Sequence, residues 1–186
     1  MRIISGKLKG KSINFIKNSV TRPLKDSVKE NIFNVLCHSN LIKTKIEKAN
    51  ILDLYSGVGS FGLECISRGA KKVKFIEQNK QALGTLKENL MQLSIINRAE
   101  LINDHIENVL LKNNKEKYDI FFFDPPFSDE TFLNNLDLIK KKKIYKNKHI
   151  IIIHRKKNSS DELNDLMDIL ITKQYGRSKI IFGIFS

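Results

Sequence analysis

The residues with the most chemistry in this chain are Asp124, Pro125, Pro126 and Phe127, which close the apolar run Ile120-Phe121-Phe122-Phe123. Proline fixes φ and carries no N–H, so the loop is stiff and the backbone carbonyls around Pro125 and Pro126 are expected to point outward as acceptors. Asp124 adds a carboxylate and Phe127 an aromatic face. The partner that fits is a planar ring bearing an –NH2 group. One amine hydrogen goes to Asp124, the other to a neighbouring carbonyl, and the ring stacks on Phe127. Nucleobases meet that description best, although Phe127 as a core ring under the loop is a second reading of the same residue.

A second chemical segment is Asp53-Leu54-Tyr55-Ser56-Gly57-Val58-Gly59-Ser60-Phe61-Gly62, whose glycines match G-x-G-x-x-G. Between a strand and a helix, that spacing brings a ligand's polar group against backbone N–H groups at a helix start. Glu77 ends the next strand and suits a ribose hydroxyl pair, whether the ligand is a dinucleotide or an adenosyl cofactor. Asp53 separates the two. A carboxylate four residues before the first glycine repels a pyrophosphate and attracts an ammonium or sulfonium. S-adenosyl-L-methionine carries both cations and no phosphate. The expected cofactor residues are therefore Asp53, Tyr55, Gly57, Gly59, Glu77 and Asp104. Asp53 also reads as a turn or helix cap, and Asp104 as the N-cap of the helix that follows it. Glu64 reads equally as a helix-dipole partner or as facing a basic group. His105 and His154 have no accompanying metal-ligand set and are expected to be structural or surface groups, so no metal is expected.

These loops need strands to hold them. The pattern predicts strands near 50–54, 72–77, 100–103, 118–123 and 149–153, with helices near 59–68, 79–93, 105–112 and 130–140 between them. The uniformly apolar strands at 120–123 and 150–153 are those of a parallel sheet covered on both faces. Segments 168–175 and 178–185 flank Gly176-Arg177 and read as an antiparallel hairpin at the sheet edge. Upstream, residues 2–16 alternate weakly around Gly6 and Gly10, which reads as a short hairpin. Ser27-Val28-Lys29-Glu30 has the form of a capping box opening a helix over 26–38. The predicted fold is α/β and Rossmann-like: a mostly parallel seven-stranded sheet, a C-terminal antiparallel hairpin, and a small N-terminal β-hairpin plus helix extension. The expected division is a basic extension over 1–40 and a main domain over 41–186.

Composition narrows the partners. The 186 residues hold 33 Lys+Arg against 20 Asp+Glu, a formal charge of +13. Such a balance favours a polyanion. The first 29 residues carry Arg2, Lys7, Lys9, Lys11, Lys17, Arg22, Lys25 and Lys29 against the single acid Asp26. Arg2, Lys7, Lys9, Lys11 and Arg22 are the expected phosphate contacts, whereas Lys140-Lys141-Lys142-Lys143 suits a solvated helix end. Cys37 and Cys65 lie far apart among apolar helical positions and are expected to be reduced core thiols. No membrane-spanning or targeting segment is visible. A monomeric cytoplasmic protein is the expectation.

Several stretches together resemble the RsmD family of 16S rRNA guanine-N2 methyltransferases, within the class I S-adenosylmethionine-dependent methyltransferases. They are Arg2-Ile3-Ile4-Ser5-Gly6 through Gly10-Lys11; Arg22-Pro23 with Asp26, Val28, Glu30 and Phe33-Asn34; the loop from Asp53 through Glu64 with Ser67-Arg68-Gly69-Ala70; Asp124-Pro125-Pro126-Phe127; and Tyr175-Gly176-Arg177. The resemblance spans essentially the whole chain. Leu24 and Lys25 depart from it, standing where the family has small hydroxylated residues, as does Gln78-Asn79 after Glu77, although Asn79 can still cap a helix.

The resemblance implies methyl transfer from S-adenosyl-L-methionine to the exocyclic N2 of a guanine in 16S rRNA, in naked RNA or a small ribosomal subunit assembly intermediate. It implies a catalytic role for Asp124, Pro125, Pro126 and Phe127, RNA binding by the extension over 1–40 through Arg2, Lys7, Lys9, Lys11 and Arg22, and an S-adenosylmethionine-dependent methyltransferase domain over 41–186. The loop itself suits an adenine amine equally, so an adenine-N6 methyltransferase of DNA or RNA is the alternative. An NAD-linked oxidoreductase is disfavoured by Asp53, and a non-catalytic RNA-binding module has no need of the Asp124 loop.

Overall fold

The computed structural model describes residues 1–16, 24–112 and 115–186. Seven strands form one sheet: β1 (Asn50–Asp53), β2 (Lys72–Ile76), β3 (Ala99–Ile102), β4 (Tyr118–Phe123), β5 (Tyr145–Lys156), β6 (Asp168–Tyr175) and β7 (Ser178–Ile184). Their order is β3-β2-β1-β4-β5-β7-β6. Every neighbouring pair is parallel except the two made by β7. The predicted mostly parallel seven-stranded sheet and its closing hairpin are both present.

Side-chain alternation along the central strands explains the layering. Ile51, Ile120, Phe122, Ile150 and Ile152 face one core, while Leu52, Phe121, Phe123, Ile151 and Ile153 face the other. The first core is covered by residues of α1 (Asp26–His38), α2 (Ser60–Ser67) and α3 (Lys80–Gln92), the second by α4 (Ile106–Leu111) and α5 (Phe132–Lys142). Runs that are apolar at every position thus feed two buried faces, as expected of parallel strands. Ile3, Ile13, Val28, Ile32 and Phe33 join the first core, so the N-terminal segment packs on the sheet's own helices.

Several local expectations change. The N-terminal hairpin has a single bridge, Arg2 with Ser12, and forms no named strand. The reason lies in where its N–H groups go: Ile4 and Ser5 donate to Glu64, Lys7 to the Ser67 carbonyl and Leu8 to Ser67 Oγ. Helix α2 takes the place of a partner strand. The capping box is not formed either, because α1 starts at Asp26 with Lys25 as N-cap and no side-chain cap. Asn79, by contrast, caps α3 through Ala82 N–H at 3.0 Å. Strand β5 begins at Tyr145, earlier than expected, so it includes the polar stretch Lys146-Asn147-Lys148; the register with β4 shifts between Tyr118 and Ile120. Cys65 is buried, but Cys37 is exposed and is not a core thiol. Among the described residues, no helix is long and apolar enough to cross a membrane.

Candidate active site

Strand order reverses between β1 and β4, the position where open α/β sheets leave a crevice at their carboxyl ends. Asp53 ends β1 and pairs in register with Phe122, so Asp124 projects two residues beyond it on the adjacent strand. A cleft of about 1450 Å³ opens there, and its lining includes Asp53, Tyr55, Gly57, Glu77, Asp104 and the whole Asp124-Pro125-Pro126-Phe127 loop. Apart from Gly59, which does not line the cleft, the residues picked out separately as cofactor and catalytic candidates share one cavity.

On the cofactor side, Asp53 is 1% exposed. Its Oδ2 accepts the Gly62 N–H at 3.1 Å, so the capping role is real, but Oδ1 has no partner among the described residues. Burial pushes its carboxyl well above the usual range, the Gly62 N–H works against that, and Asp124 and Glu77 add to it. A buried carboxylate with one oxygen unpaired is suited to a cationic ligand, and Ser60 Oγ, on the same cleft lining, is unpaired as well. Glu77 accepts from Gly57 N–H at 2.8 Å and from Asn79 N–H at 2.7 Å, tying the glycine loop to the start of α3. Above Gly57 there is open space. At Gly59, with φ +87°, a Cβ would lie 2.3 Å from Leu86 Cδ1, so α3 packs directly on the loop backbone. Tyr55 packs near Phe123, its hydroxyl accepts from Asn135 at 3.3 Å, and burial pushes its phenol up. Asp104 lines the cleft while bonding the His105 N–H and Asn108 at 2.8 Å, with Lys112 at 3.1 Å. It organises the start of α4 from the position before the N-cap, which is His105.

On the acceptor side, Phe127 is 39% exposed, which excludes its reading as a core ring. The Pro126 carbonyl does not point outward as expected. It accepts from Asp129 N–H at 2.9 Å and from Arg155 Nη1 at 3.1 Å. The Pro125 carbonyl accepts no hydrogen bond from any described residue. Arg155, 2% exposed, also reaches the Phe127 carbonyl at 3.4 Å, pairs with Asp161 and lies 4.5 Å over the Phe132 ring. His154 Nδ1 lies 2.7 Å from Asp124 Oδ1. Sequence reasoning set His154 aside for want of a metal set, yet it stands at the carboxyl end of a strand, the rule that had selected Asp53, Glu77 and Asp124. Among the described residues, no three His, Cys, Asp or Glu side chains are grouped to hold a metal. Arg2, Lys7, Lys9 and Lys11 are exposed and have no carboxylate partner among the described residues; Arg22 lies outside them.

A sheet of this order, with β7 alone reversed and a carboxylate-and-glycine loop facing an Asp-Pro-Pro-Phe loop across one cleft, defines a class I methyltransferase. The chain belongs to the RsmD family, whose profile, described as Conserved hypothetical protein 95, matches residues 1–184. It is 32% identical over its whole length to the ribosomal RNA small subunit methyltransferase D of Buchnera aphidicola (subsp. Baizongia pistaciae), covering 91% of that protein. It is 37% identical over 129 residues, 68% of this chain and 64% of the relative, to the Haemophilus influenzae protein of the same name. A solved Haemophilus influenzae structure superposes over 100% of this chain and 98% of its own, with TM-score 0.79 and 28% identity. An Escherichia coli structure at 24% identity shares the fold, with TM-score 0.84.

Proposed function

We propose that the protein transfers a methyl group from S-adenosyl-L-methionine to the exocyclic N2 of a guanine in 16S rRNA, acting on the RNA or on a small-subunit assembly intermediate. The observation that carries this reading is the shared cleft: an unpaired buried carboxylate oxygen at Asp53 opposite the Asp124 loop. When bound, S-adenosyl-L-methionine supplies an electrophilic methyl on a sulfonium. Asp53 and Glu77 are the acceptors for its cationic and ribose groups, with Tyr55, Gly57, Gly59 and Asp104 around them. The printed names of the relatives, ribosomal RNA small subunit methyltransferases, support an rRNA substrate.

An exocyclic amine conjugated with its ring is a poor nucleophile. Asp124 and the Pro125 carbonyl accept its two hydrogens and so favour a pyramidal nitrogen with its lone pair available. Asp124 then takes the proton that the methylated amine must lose. A stacked base has to be flipped out to enter, and exposed Phe127 offers a replacement stacking surface. The extension over 1–40 supplies Arg2, Lys7, Lys9, Lys11 and Arg22 to phosphates, and 41–186 does the chemistry. The test is nucleoside mass spectrometry of rRNA from cells with and without the protein. Loss of N2-methylguanosine supports the reading; loss of N6-methyladenosine instead, or of neither, overturns it.

A further inference from the structure

The carboxylate of Asp124 is held at one oxygen only. His154, after the four-isoleucine stretch of β5, puts Nδ1 2.7 Å from Asp124 Oδ1, and its Nε2 lies 2.9 Å from Ser178 Oγ at the start of β7. The histidine is 9% exposed. Its ring meets Phe127 edge to face, with centroids 5.7 Å apart and planes at 78°. The β5–β7 register, His154 opposite Ile180 and Lys156 opposite Ser178, fixes where the imidazole stands. No described residue bonds Asp124 Oδ2.

We propose that His154 is the positioning residue of the methyl-acceptor site: by donating from Nδ1 to Asp124 Oδ1 it commits Oδ2 to the substrate amine. This rests on the reading of Asp124 as the amine's acceptor. A free aspartate has a broad, two-fold χ2, so neither oxygen keeps a fixed direction. Methyl transfer requires the nitrogen lone pair within a narrow cone, and a loosely held acceptor loses that alignment. A single N–H bond to Oδ1 removes the freedom.

Ser178 completes the arrangement. The ionised Asp124 carboxylate can only accept, so it is the partner that places the hydrogen on Nδ1, and the Ser178 hydroxyl, able to donate, meets the remaining acceptor Nε2. As the amine lone pair forms the nitrogen–methyl bond, the methyl–sulfur bond breaks with its pair left on sulfur; the N–H bond then breaks, its electron pair stays on nitrogen, and the proton passes to Oδ2. The secondary amine is then neutral and Oδ1 keeps its bond to His154. The neighbouring residue divides the labour: Arg155 holds the loop's backbone at Pro126 and Phe127, and His154 holds its reacting side chain.

The experiment uses the full chain, tritiated S-adenosyl-L-methionine and small ribosomal subunits from a bacterium lacking its own corresponding enzyme. His154→Leu is expected to lower kcat by roughly 10- to 100-fold, with KM for subunits and cofactor Kd unchanged within about threefold. His154→Asn, whose amide N–H falls near the Nδ1 position, is expected to retain kcat within about fivefold. Should the Leu variant not fold, His154→Gln replaces it, since its amide falls at the Nε2 position. Wild-type kcat in the variants lacking a donor at the Nδ1 position overturns the inference, as does an equal loss in the Asn variant. Asp124→Ala is the control: inactive, it leaves the reading of the site standing whatever His154 does. If it retains turnover, that reading fails first.

Discussion

Asn89 grips the backbone of Asn14 on both sides, accepting its N–H at 2.8 Å and donating to its carbonyl at 3.0 Å. The same amide nitrogen donates to the Val58 carbonyl at 3.2 Å, inside the glycine loop. One buried side chain on α3 therefore ties the basic N-terminal segment to the glycine loop that lines the cleft.

Replacing Asn89 with alanine leaves all three backbone groups without that partner. Urea denaturation is expected to show a loss of about 2–4 kcal/mol. Hydrogen exchange at Asn14 should accelerate in the same variant. Unchanged exchange there would mean that the segment is held by its other contacts alone.

Those other contacts converge on α2, and Gly6 is where they are tightest. With φ +83°, a Cβ at Gly6 would lie 2.1 Å from the Ser67 carbonyl oxygen, which itself accepts the Lys7 N–H at 2.9 Å. Gly6→Ala must displace the turn. A stability loss of about 2 kcal/mol or more is expected, with rRNA binding weakened and cofactor affinity retained. Filter binding and calorimetry on one preparation separate the two effects.

How much of this was legible beforehand follows from contact range. Strand ends are a local property, so the rule that ligands gather at carboxyl ends found Asp53, Glu77, Asp104 and Asp124 without coordinates, and all four line the cleft. Glu64 and Ser67 act on residues about sixty positions away, and Asn89 on one 75 away. No periodicity encodes that. Lys29 is the extreme case: it looked like one more basic residue of the RNA-binding segment, yet it is fully buried and donates to the Arg2 carbonyl at 2.7 Å. The Pro126 carbonyl departs from expectation for a related reason. Two prolines make a loop stiff, but Arg155, approaching from β5, decides which carbonyl stays available.

The Arg155–Asp161 pair makes loop integrity acid-sensitive. Burial alone would raise the Asp161 carboxyl, but hydrogen bonds from Arg155 and Ser159 override it and hold the group below the usual carboxylate range. With a folded pKa below the unfolded value of about 3.9, the pair's stabilisation is present above that value and is lost as pH falls through the folded pKa. Melting curves at descending pH should show this loss. Asp161→Asn is expected to remove that part of the acid dependence and, by leaving Arg155 buried without its counter-charge, to cost about 3–5 kcal/mol at neutral pH.

Asp53 has the opposite sign. Its free-state carboxyl is raised by burial first, and by Asp124 and Glu77 after it, so it stays protonated to higher pH than an ordinary aspartate. A cation beside Oδ1 favours the ionised form, and binding S-adenosyl-L-methionine then releases a proton wherever the free protein still carries one. Cofactor affinity is expected to rise with pH up to the free-state pKa and to level off above it. Titration calorimetry in buffers of different ionisation enthalpy measures the released proton directly. Asp53→Asn should weaken binding roughly tenfold or more at the plateau and abolish the proton release. Binding to the Asn variant with the wild-type pH profile would mean that Asp53 serves only to cap Gly62, and that another group meets the cofactor's charge.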